Sequence, residues 1–419
     1  MIQAFYTGIS GLKTYSAGID VVSDNLANIN TVGYRGYNAE FASMFENSLA
    51  SANAGIIDSS IGVGTQLKAT SMIQTNGSLL LSDKSTDMAI DGDGWFGVQG
   101  DENPIYTRDG NFTFDAKDDL VTIDGLHVLG TMGNNISDND VLTSTLNEII
   151  LGDVNAQEKL RFPKSLTYPA EATTTAKFLA NVGTADGSIV TVGASVIDSQ
   201  SNKNHLRLEF TKDPIQNPPG SQWSIVATTQ SLDGTIIYDT QTGSVEFDAT
   251  GALVSHTMST IDNNGTPVTI DLGSGYDGIV SINIPVVPGS SIANGTIGGD
   301  LQGYAINENA EVIATFTNGM QSSVGKIALF HFQNDQGLER LNGSRFQESS
   351  NSGEPIFFTD ENGQNIIGAE VVNFKLEGSN YGMTGGLTEL IIYQRAYDAN
   401  SKSITTADEM MQKALNMDA

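Results

Sequence analysis

The segment from Gly92 to Gly97 carries the glycine spacing of a dinucleotide-binding loop. In such a loop the last glycine opens a helix whose N-terminus receives a pyrophosphate group. In this chain the sequence continues as Val98-Gln-Gly-Asp, which is typical of a strand followed by a turn. We therefore interpret these glycines as parts of a tight β-turn, and the sequence predicts no nucleotide site there.

The same segment partly matches a calcium-binding loop. Asp91, Asp93 and Glu102 fall on its first, third and last positions. However, Trp95 and Phe96 stand where the loop needs a ligand and a glycine. No calcium site is predicted.

The four histidines are scattered singly along the chain, at His127, His205, His256 and His331. None has the i, i+4 partner of a helical metal site, and none has a nearby acid suited to a metal or base role. His127 and His331 fall in strand-like runs and are predicted to be packing residues. No G-x-S-x-G segment or Ser/His/Asp arrangement is recognisable. The sequence therefore predicts no enzyme, no metal site and no cofactor.

The charge balance limits the classes of partner. The chain has 20 Lys and Arg against 49 Asp and Glu, a net charge of −29, while residues 1–35 are neutral overall. Such an acidic chain is an improbable partner for nucleic acid or for an anionic membrane surface. No apolar run reaches the length of a membrane span, and the first residues lack the pattern of a cleaved signal peptide. Cysteine is absent, which excludes disulfides.

Both ends of the chain carry the pattern of an amphipathic helix. Residues 2–29 space apolar side chains three or four positions apart. These residues are Ile2, Phe5, Ile9, Leu12, Tyr15, Ile19, Val22, Leu26 and Ile29. Near the other end, an apolar residue recurs at each seventh position, at Leu390, Tyr397, Ile404 and Met411. The two stripes predict helices that meet as a coiled-coil-like domain, or helices that simply cover the chain's own β domain.

The rest of the chain predicts β structure. Short alternating runs are separated by Asp-Gly and Asn-Gly turns, as in antiparallel sheets. We expect a mainly β fold with terminal α-helices.

Four blocks of the sequence carry a family pattern. The first two run from Asp20 to Arg35 and from Asp87 to Val98. A third runs from Tyr106 to Phe112, and a fourth, beginning Gln394-Arg-Ala-Tyr, from Gln394 to Asp408. Together they resemble the flagellar axial proteins, the family of rod and hook subunits.

The resemblance implies that an outer β domain is inserted in an inner one, as in hook subunits more than in distal-rod subunits. The implied division is 1–33 with 380–419 for the helices, 34–72 for a connecting segment, 73–145 with 291–379 for the inner domain and 146–290 for the outer domain. Before the last helix, however, the chain has Gly385 and Gly386 where the family usually has an Asn-Val-Asp-Leu stretch, so a specialised paralogue stays an alternative.

The resemblance implies a structural subunit that polymerises into the curved hollow tube joining the rod to the filament and transmits torque. Its implied partners are copies of itself, distal rod subunits, the hook cap, the hook-filament junction proteins and the type III export apparatus, with no nucleic acid and no membrane insertion. Its implied location is the flagellum, outside the cell after export. A distal-rod subunit and, more remotely, a secreted β-rich adhesin or binding module are the alternatives.

The resemblance and the stripes together single out three sets of residues. Ile9, Leu12, Leu26, Leu390, Tyr397, Ile404 and Met411 are predicted to form the inner core of the assembly. Asn25, Asn28, Gly33 and Tyr34 are predicted to shape the bend after the first helix. Gln394, Arg395, Tyr397 and Asn400 belong to the C-terminal motif. Because isolated helices of this composition are marginal in water, we also expect both ends to be disordered in a free monomer.

Overall fold

The computed structural model describes residues 2–44, 46–48, 60–62, 64–100, 103–187, 189–216, 218–284 and 287–417 of the 419 residues. Two long helices lie at its ends, α1 at Ile2–Ala27 and α2 at Met383–Met417. Nearly all the remaining regular structure is β-strand, with short 3-10 turns at Val154–Ala156 and Asp335–Gly337. The prediction of a mainly β fold with terminal helices is confirmed. Among the described residues, neither helix combines the length and apolarity that crossing a membrane requires.

A narrow β-ribbon follows α1, within the predicted connecting segment. Its strands are β1 Tyr37–Ser43, β2 Glu46–Ser48, β3 Ser60–Gly62 and β4 Thr65–Met72. β1 pairs antiparallel with β4, and β2 pairs antiparallel with β3. The ribbon lies along α1, where the Thr14 hydroxyl donates a hydrogen bond of 2.9 Å to the Thr65 carbonyl oxygen.

The chain then forms the first strands of a proximal β body. They are β5 Leu79–Leu81, β6 Met88–Asp91, β7 Trp95–Val98, β8 Ile105–Thr107, β9 Phe112–Phe114, β10 Leu120–Thr122, β11 Leu129–Met132, β12 Glu158–Lys159 and β13 Thr167–Tyr168. Val98 ends a strand and does not enter a helix, as expected for glycines in a β-turn.

A distal β body follows, which we define as residues 174–293. Its strands are β14 Thr175–Asn181, β15 Ile189–Ile197, β16 Lys203–Lys212, β17 Ser221–Ser231, β18 Ile237–Phe247, β19 Leu253–His256, β20 Thr260–Asn263, β21 Thr266–Asp271, β22 Gly273–Ser274, β23 Asp277–Val280 and β24 Val287–Ala293. One sheet has the order β15-β16-β17-β18-β19. The other has the order β20-β21-β14-β23-β22, with β24 also paired to β14.

The last strands return to the proximal β body, which we define as residues 73–173 and 294–379. They are β25 Gly299–Ile306, β26 Glu311–Phe316, β27 Gln321–Ile327, β28 Leu329–Phe330, β29 Glu339–Asn342, β30 Arg345–Gln347, β31 Phe358–Thr359, β32 Asn365–Ile366, β33 Glu370–Asn373 and β34 Lys375–Glu377. Early and late strands share the sheets β12-β11-β27-β26-β25-β13 and β28-β7-β8-β30-β29. One β body is therefore inserted in the other.

Two separate hydrophobic cores mark the two bodies. One core takes its residues from Met72 to Tyr168 and from Ile306 to Val371, and the other from Ala176 to Ile279. Leu160, Phe162 and Leu166 are almost fully buried in the first core. The structure therefore divides the chain later than the predicted boundary after residue 145, because the strand pattern runs on through this region without a break.

The distal β body is attached through two adjacent chain segments. Glu171 and Thr296 exchange backbone hydrogen bonds of 2.8 and 2.9 Å, and Asn294 accepts hydrogen bonds from the Thr174 and Thr175 amides. Because the entry and exit segments lie side by side, the distal body could be replaced by a short linker without separating the strands beneath it.

Candidate assembly site at the chain termini

The two terminal helices pack antiparallel along a line of glycines on α1, which we call the glycine seam: Gly8, Gly11 and Gly18. A methyl group added to Gly8 would lie 2.7 Å from Ile404 Cγ1. At Gly11 it would lie 2.4 Å from the Asn400 side-chain oxygen, and at Gly18 3.2 Å from the Tyr393 ring. Glycine therefore lets the two helices approach more closely than any other residue would allow.

Aromatic side chains hold the middle of the helix pair against the β-ribbon. The rings of Tyr15, Phe41 and Tyr393 have centroids 5.6 to 6.1 Å apart, in tilted and edge-on arrangements. Phe41 belongs to β1, so this cluster joins α1, α2 and the ribbon. The helices thus pair with each other and also cover part of the chain's own β structure, combining the two possibilities that the stripes left open.

The contact face of α1 is shifted to one side of the predicted stripe, with which it shares Val22. Its buried positions are Gly8, Gly11, Thr14, Gly18, Val22 and Asn25. The predicted residues Ile9, Leu12 and Leu26 flank this face and are only half-buried. The reason is steric: the glycines carry no apolar side chain, and they still occupy the closest contact because they allow the backbones to approach. The spacing of Gly8, Gly11 and Gly18 along one helix face was visible in the sequence and could have indicated this.

The predicted residues of α2 differ in how far their side chains are exposed to solvent. Leu390, Ile404 and Met411 are half-buried, whereas Tyr397 is 40% exposed. In the C-terminal motif, Gln394 and Arg395 are exposed. The Asn400 side chain packs on Gly11 and donates a hydrogen bond of 2.8 Å to the Ala396 carbonyl oxygen. The structure thus brings Ile404 and Asn400 into the seam and leaves Gln394, Arg395 and Tyr397 at the surface.

A second apolar face of α2 has no cover from the described part of the chain. Met383, Leu387, Ile391 and Ile392 are 57, 47, 52 and 55% exposed. The first three are spaced four residues apart and so form a ridge along the helix. We call Met383, Leu387 and Ile391 the α2 ridge. An exposed apolar ridge of this kind is typical of a surface that binds another protein.

Both glycines at the start of α2 lie within the helix. A methyl group on Gly386 would lie 2.5 Å from the Tyr381 ring and 3.0 Å from Leu26 Cδ2, whereas Gly385 has open space around it. Gly386 therefore extends the close contact between the helices to the far end of α1.

The bend after α1 is built around the Asn25 side chain. Its amide group donates to the Tyr37 carbonyl oxygen at 2.7 Å, and its oxygen accepts from the Tyr37 amide at 3.0 Å. The Tyr34 hydroxyl lies 3.1 Å from both Asp24 Oδ2 and Asn25 Oδ1, and burial raises the pKa of Tyr34 to about 12. These bonds fix the direction in which the chain leaves the helix.

Asn28 and Gly33 complete the bend. Asn28 donates to the Asp24 carbonyl oxygen at 2.9 Å, and its side-chain oxygen accepts from Thr31 at 3.1 Å. Gly33 has φ +66, and a methyl group there would lie 2.4 Å from the Asp109 amide nitrogen. A side chain at Gly33 is thus excluded both by its backbone conformation and by the β body beneath it.

Arg340 clamps the bend to the proximal β body. Its guanidinium lies 3.0 Å from Asp24 Oδ2 and stacks on the rings of Tyr34 and Tyr37, with centroid distances of 5.1 and 5.5 Å. A cation over an aromatic face at this distance is attracted by the ring quadrupole. Arg340 was not singled out from the sequence, because it lies more than 300 residues from Asp24.

A buried ion cluster, Arg35, Arg108 and Glu377, joins both helices to the proximal β body. The two carboxylate oxygens of Glu377 lie 3.2 Å from Arg35 and 3.2 Å from Arg108, and all three side chains are at most 3% exposed. Both guanidinium groups also lie over the Trp95 ring, at 5.9 and 5.5 Å. Burial lowers the pKa of Arg108 to about 10 against the opposing effect of Glu377.

This ion cluster and the Trp95 ring beneath it bring together residues from separate blocks of the sequence. Arg35 follows α1, Glu377 precedes α2, and Trp95 and Arg108 come from two of the β blocks quoted above. Removing one partner from such a buried cluster leaves an uncompensated charge in the interior. The cluster therefore fixes the base of the helix pair to the β body. Glu377 itself carried no sequence signal, since it lies in a short strand without a motif.

The two histidines that were predicted to be packing residues, His331 and His127, have different surroundings. His331 is buried and its Nε2 lies 2.7 Å from the Ile367 carbonyl oxygen, as expected for a packing residue. For His127 the expectation of no nearby acid is wrong. Its Nδ1 lies 3.6 Å from Asp119 Oδ2, because the β9–β10 turn folds Asp119 back beside it.

Three family models match parts of the chain. The model described as Flagella basal body rod protein matches residues 5–35, which cover α1 and the bend. The Flagellar hook protein FlgE/F/G D1 domain matches residues 89–173, in agreement with the end of the first part of the proximal body. The Flagellar basal body rod FlgEFG protein C-terminal model matches residues 374–417, which include Glu377 and α2.

Two proteins that are similar over almost their whole length are both named flagellar hook protein FlgE. The chain is 26% identical to the Flagellar hook protein FlgE of Borreliella burgdorferi, over 100% of both chains. It is 27% identical to the Flagellar hook protein FlgE of Escherichia coli K12, over 99% of this chain and 100% of that protein. The crystal structure of Helicobacter pylori flagellar hook protein FlgE2 has a similar fold, with a TM-score of 0.54 and 16% identity, over 71% of this chain and all of that one.

Proposed function

Because the chain belongs to the family of flagellar rod and hook proteins, we propose that it is the structural subunit of a bacterial flagellar hook. In this proposal copies polymerise into the curved hollow tube that joins the basal-body rod to the filament and transmits torque between them. The family is one of structural proteins and not of enzymes. The relatives favour the hook over the distal rod and over a secreted adhesin.

The observation that carries the proposal is the α2 ridge. The helix pair is joined within one chain by the glycine seam, yet Met383, Leu387 and Ile391 remain about half exposed. Contacts between such a ridge and a different surface of the next copy are heterologous, and heterologous contacts that do not close generate an open helical polymer. The exposed ridge supports the proposal of a tube built from the terminal helices.

We propose a division of labour among three regions. The terminal helices form the inner wall of the tube, and the proximal β body surrounds them, fixed by the Arg35–Glu377–Arg108 cluster. The distal β body lies farthest along the chain from the helices, and its contacts between copies shift as the tube bends. The net charge of −29 favours sparse and hydrated contacts of this kind.

The finer partners and the location also belong to this proposal. A subunit at this position contacts distal rod subunits at one end of the tube and hook cap or hook-filament junction proteins at the other. It reaches the outside of the cell unfolded through the flagellar type III apparatus. Its terminal helices are disordered as a free monomer and fold when neighbouring copies cover the α2 ridge.

A matched pair of variants tests the role of the ridge. Leu387→Ser with Ile391→Ser removes the apolar side chains of α2, and Ile215→Ser with Ile237→Ser removes side chains that are 83 and 61% exposed on the distal body. We expect the helix variant to stay monomeric and the distal variant to form tubes, as judged by sedimentation and electron microscopy. Tubes of normal stability from the helix variant would contradict the proposal.

Removing the distal β body separates a hook from a rod subunit. Residues 174–293 can be replaced by a short Gly-Ser linker, since Glu171 and Thr296 are already hydrogen-bonded neighbours. We expect the shortened chain to polymerise through its helices into tubes of altered curvature. A tube that bends like that of the intact chain would favour a rod-like role.

A further inference from the structure

The turn between β9 and β10 brings together three metal-ligating side chains that the sequence did not associate. We call Asp115, Asp119 and His127 the turn cluster. Their nearest ligand atoms all lie within 4.8 Å of one another. Asp115 accepts hydrogen bonds from the Lys117 and Asp119 amides, which closes the turn, and His127 pairs with Val121 across it. The fold therefore holds all three side chains in place through local backbone bonds.

Two polar atoms of the turn cluster are buried without a hydrogen-bond partner among the described residues, Asp119 Oδ1 and His127 Nδ1. The Asp119 side chain is only 1% exposed. A buried acceptor without a partner costs free energy, so each such atom calls for an explanation. A cation bound by His127 Nδ1 and by the Asp119 carboxylate would supply the partner that the imidazole nitrogen lacks.

The spacing agrees with a shared metal ion better than with a direct hydrogen bond. His127 Nδ1 and Asp119 Oδ2 are 3.6 Å apart, too far for a normal hydrogen bond. Zinc–nitrogen and zinc–oxygen bonds of about 2.0 to 2.1 Å in a tetrahedron place two ligands roughly 3.3 Å apart. A shift of a few tenths of an ångström would therefore bring both atoms to zinc-ligand distances.

Lys159 now supplies the positive charge at the turn cluster. Its ammonium lies 2.9 Å from Asp119 Oδ2, but its side chain is 50% exposed and can rotate into solvent. Two carboxylates balance the charge of a divalent ion, so the metal would replace the ammonium and not add to it. Lys159 is in this sense a competitor for the same carboxylate.

From these contacts we propose that Asp115, Asp119 and His127 form a binding site for a divalent transition-metal ion with the preferences of Zn²⁺. One imidazole nitrogen and two carboxylate oxygens are ligands that zinc accepts, with water in the remaining position. The ion fastens the β9–β10 turn to the segment between β10 and β11 that carries His127. The site does not depend on polymer formation.

Isothermal titration of the full-length, chelator-treated chain with ZnCl₂ tests the site. We expect saturable binding of one ion and a rise in the thermal unfolding midpoint. His127→Gln removes a ligand, and we expect it to weaken binding by at least about tenfold. Lys159→Gln removes the competing ammonium, and we expect it to tighten binding because a positive charge beside the metal is lost.

The control is His205→Gln, which removes an exposed histidine on the distal body. Unchanged affinity in this variant, with loss in His127→Gln, supports the site. Absence of saturable binding in the unmodified chain overturns the proposal. Equal weakening by both histidine variants, or no tightening by Lys159→Gln, overturns it as well, since binding would then occur elsewhere.

Discussion

The distal β body buries its large apolar side chains, whereas the terminal helix pair leaves some of its apolar side chains exposed. In the distal body Phe178, Phe210 and Trp223 are completely buried. In the helix pair Leu387 and Ile391 are about half exposed, and the closest contacts are made by glycines. The distal body therefore completes its core within one chain. The helix pair has a tight seam on one side and an uncovered ridge on the other.

The two regions differ in how much apolar surface they can still bury. The apolar side chains of the distal core are already removed from water, so contact with a second copy would bury little more of them. Burial of the exposed α2 ridge would release free energy, but it requires contact with another chain. The Arg35–Glu377–Arg108 cluster joins the base of the helix pair to the proximal β body through buried ion pairs.

The largest expected effect is on the distal body. Trp223→Ala removes a fully buried side chain, and we expect it to lower the free energy of unfolding by about 3 to 5 kcal/mol. Urea unfolding monitored by hydrogen exchange should place the loss within residues 174–293, while tubes still form. Ile215→Ala, at an 83% exposed position, is the control and should change little. Loss of tubes in Trp223→Ala would show that the two regions are coupled.

The next effect is at the junction. Glu377→Gln leaves Arg35 and Arg108 buried without their counter-charge, and we expect a loss of about 3 kcal/mol in the free energy of unfolding. The unfolding of the proximal body should shift, and that of the distal body should not. Glu370→Gln changes an exposed carboxylate on the preceding strand and serves as the control. Equal stability of the two variants would argue against a structural role for the cluster.

A pair of glycine variants tests the seam. Gly11→Ala places a methyl group 2.4 Å from the Asn400 side chain, and we expect the misfit to cost about 1 to 3 kcal/mol, partly offset by a better helix propensity. Gly385→Ala makes the same change in α2 where the space is open, and should stabilise the helix by up to about 1 kcal/mol. Tube yield measured by sedimentation should fall for the first variant only. Tubes from both in equal yield would show that the seam tolerates separation.

The smallest effect is the alkaline titration of Tyr34. Its pKa is raised from 10.0 to about 12 in the folded chain, so folding favours the neutral phenol. This contribution is complete below pH 10 and is lost as the pH rises from 10 to 12. Tyr34→Phe should therefore lose less stability than the unmodified chain over this range, measured by urea unfolding. Tyr6→Phe, at a 62% exposed position, should follow the unmodified chain. The same pH dependence of the free energy of unfolding in all three proteins would contradict the burial of the Tyr34 hydroxyl in the bend.

The regular features of the fold were predictable because they depend on local periodicity. Helices at both ends and strands between them follow from the spacing of apolar residues and turns. The insertion of one β body in another was implied by the resemblance to hook subunits and not by periodicity. The boundary after residue 145 was less accurate, because β13 joins the first core through its partner β25 and nothing local marks that pairing. The stripes also placed Ile9 and Leu12 at the centre of contact, where the structure has Gly8 and Gly11.

The sequence by itself determined that this chain has near-neutral amphipathic ends, an acidic β-rich middle and motifs that resemble those of flagellar rod and hook proteins. Those properties depend on residue type and on spacing along the chain. Only the tertiary structure decided which residues meet: Arg35 with Glu377, Asp24 with Arg340, and Asp119 with His127. Most of these partners are hundreds of residues apart, and even the local pair depends on the path of a turn. Contact is set by how the chain folds back on itself, which periodicity does not record.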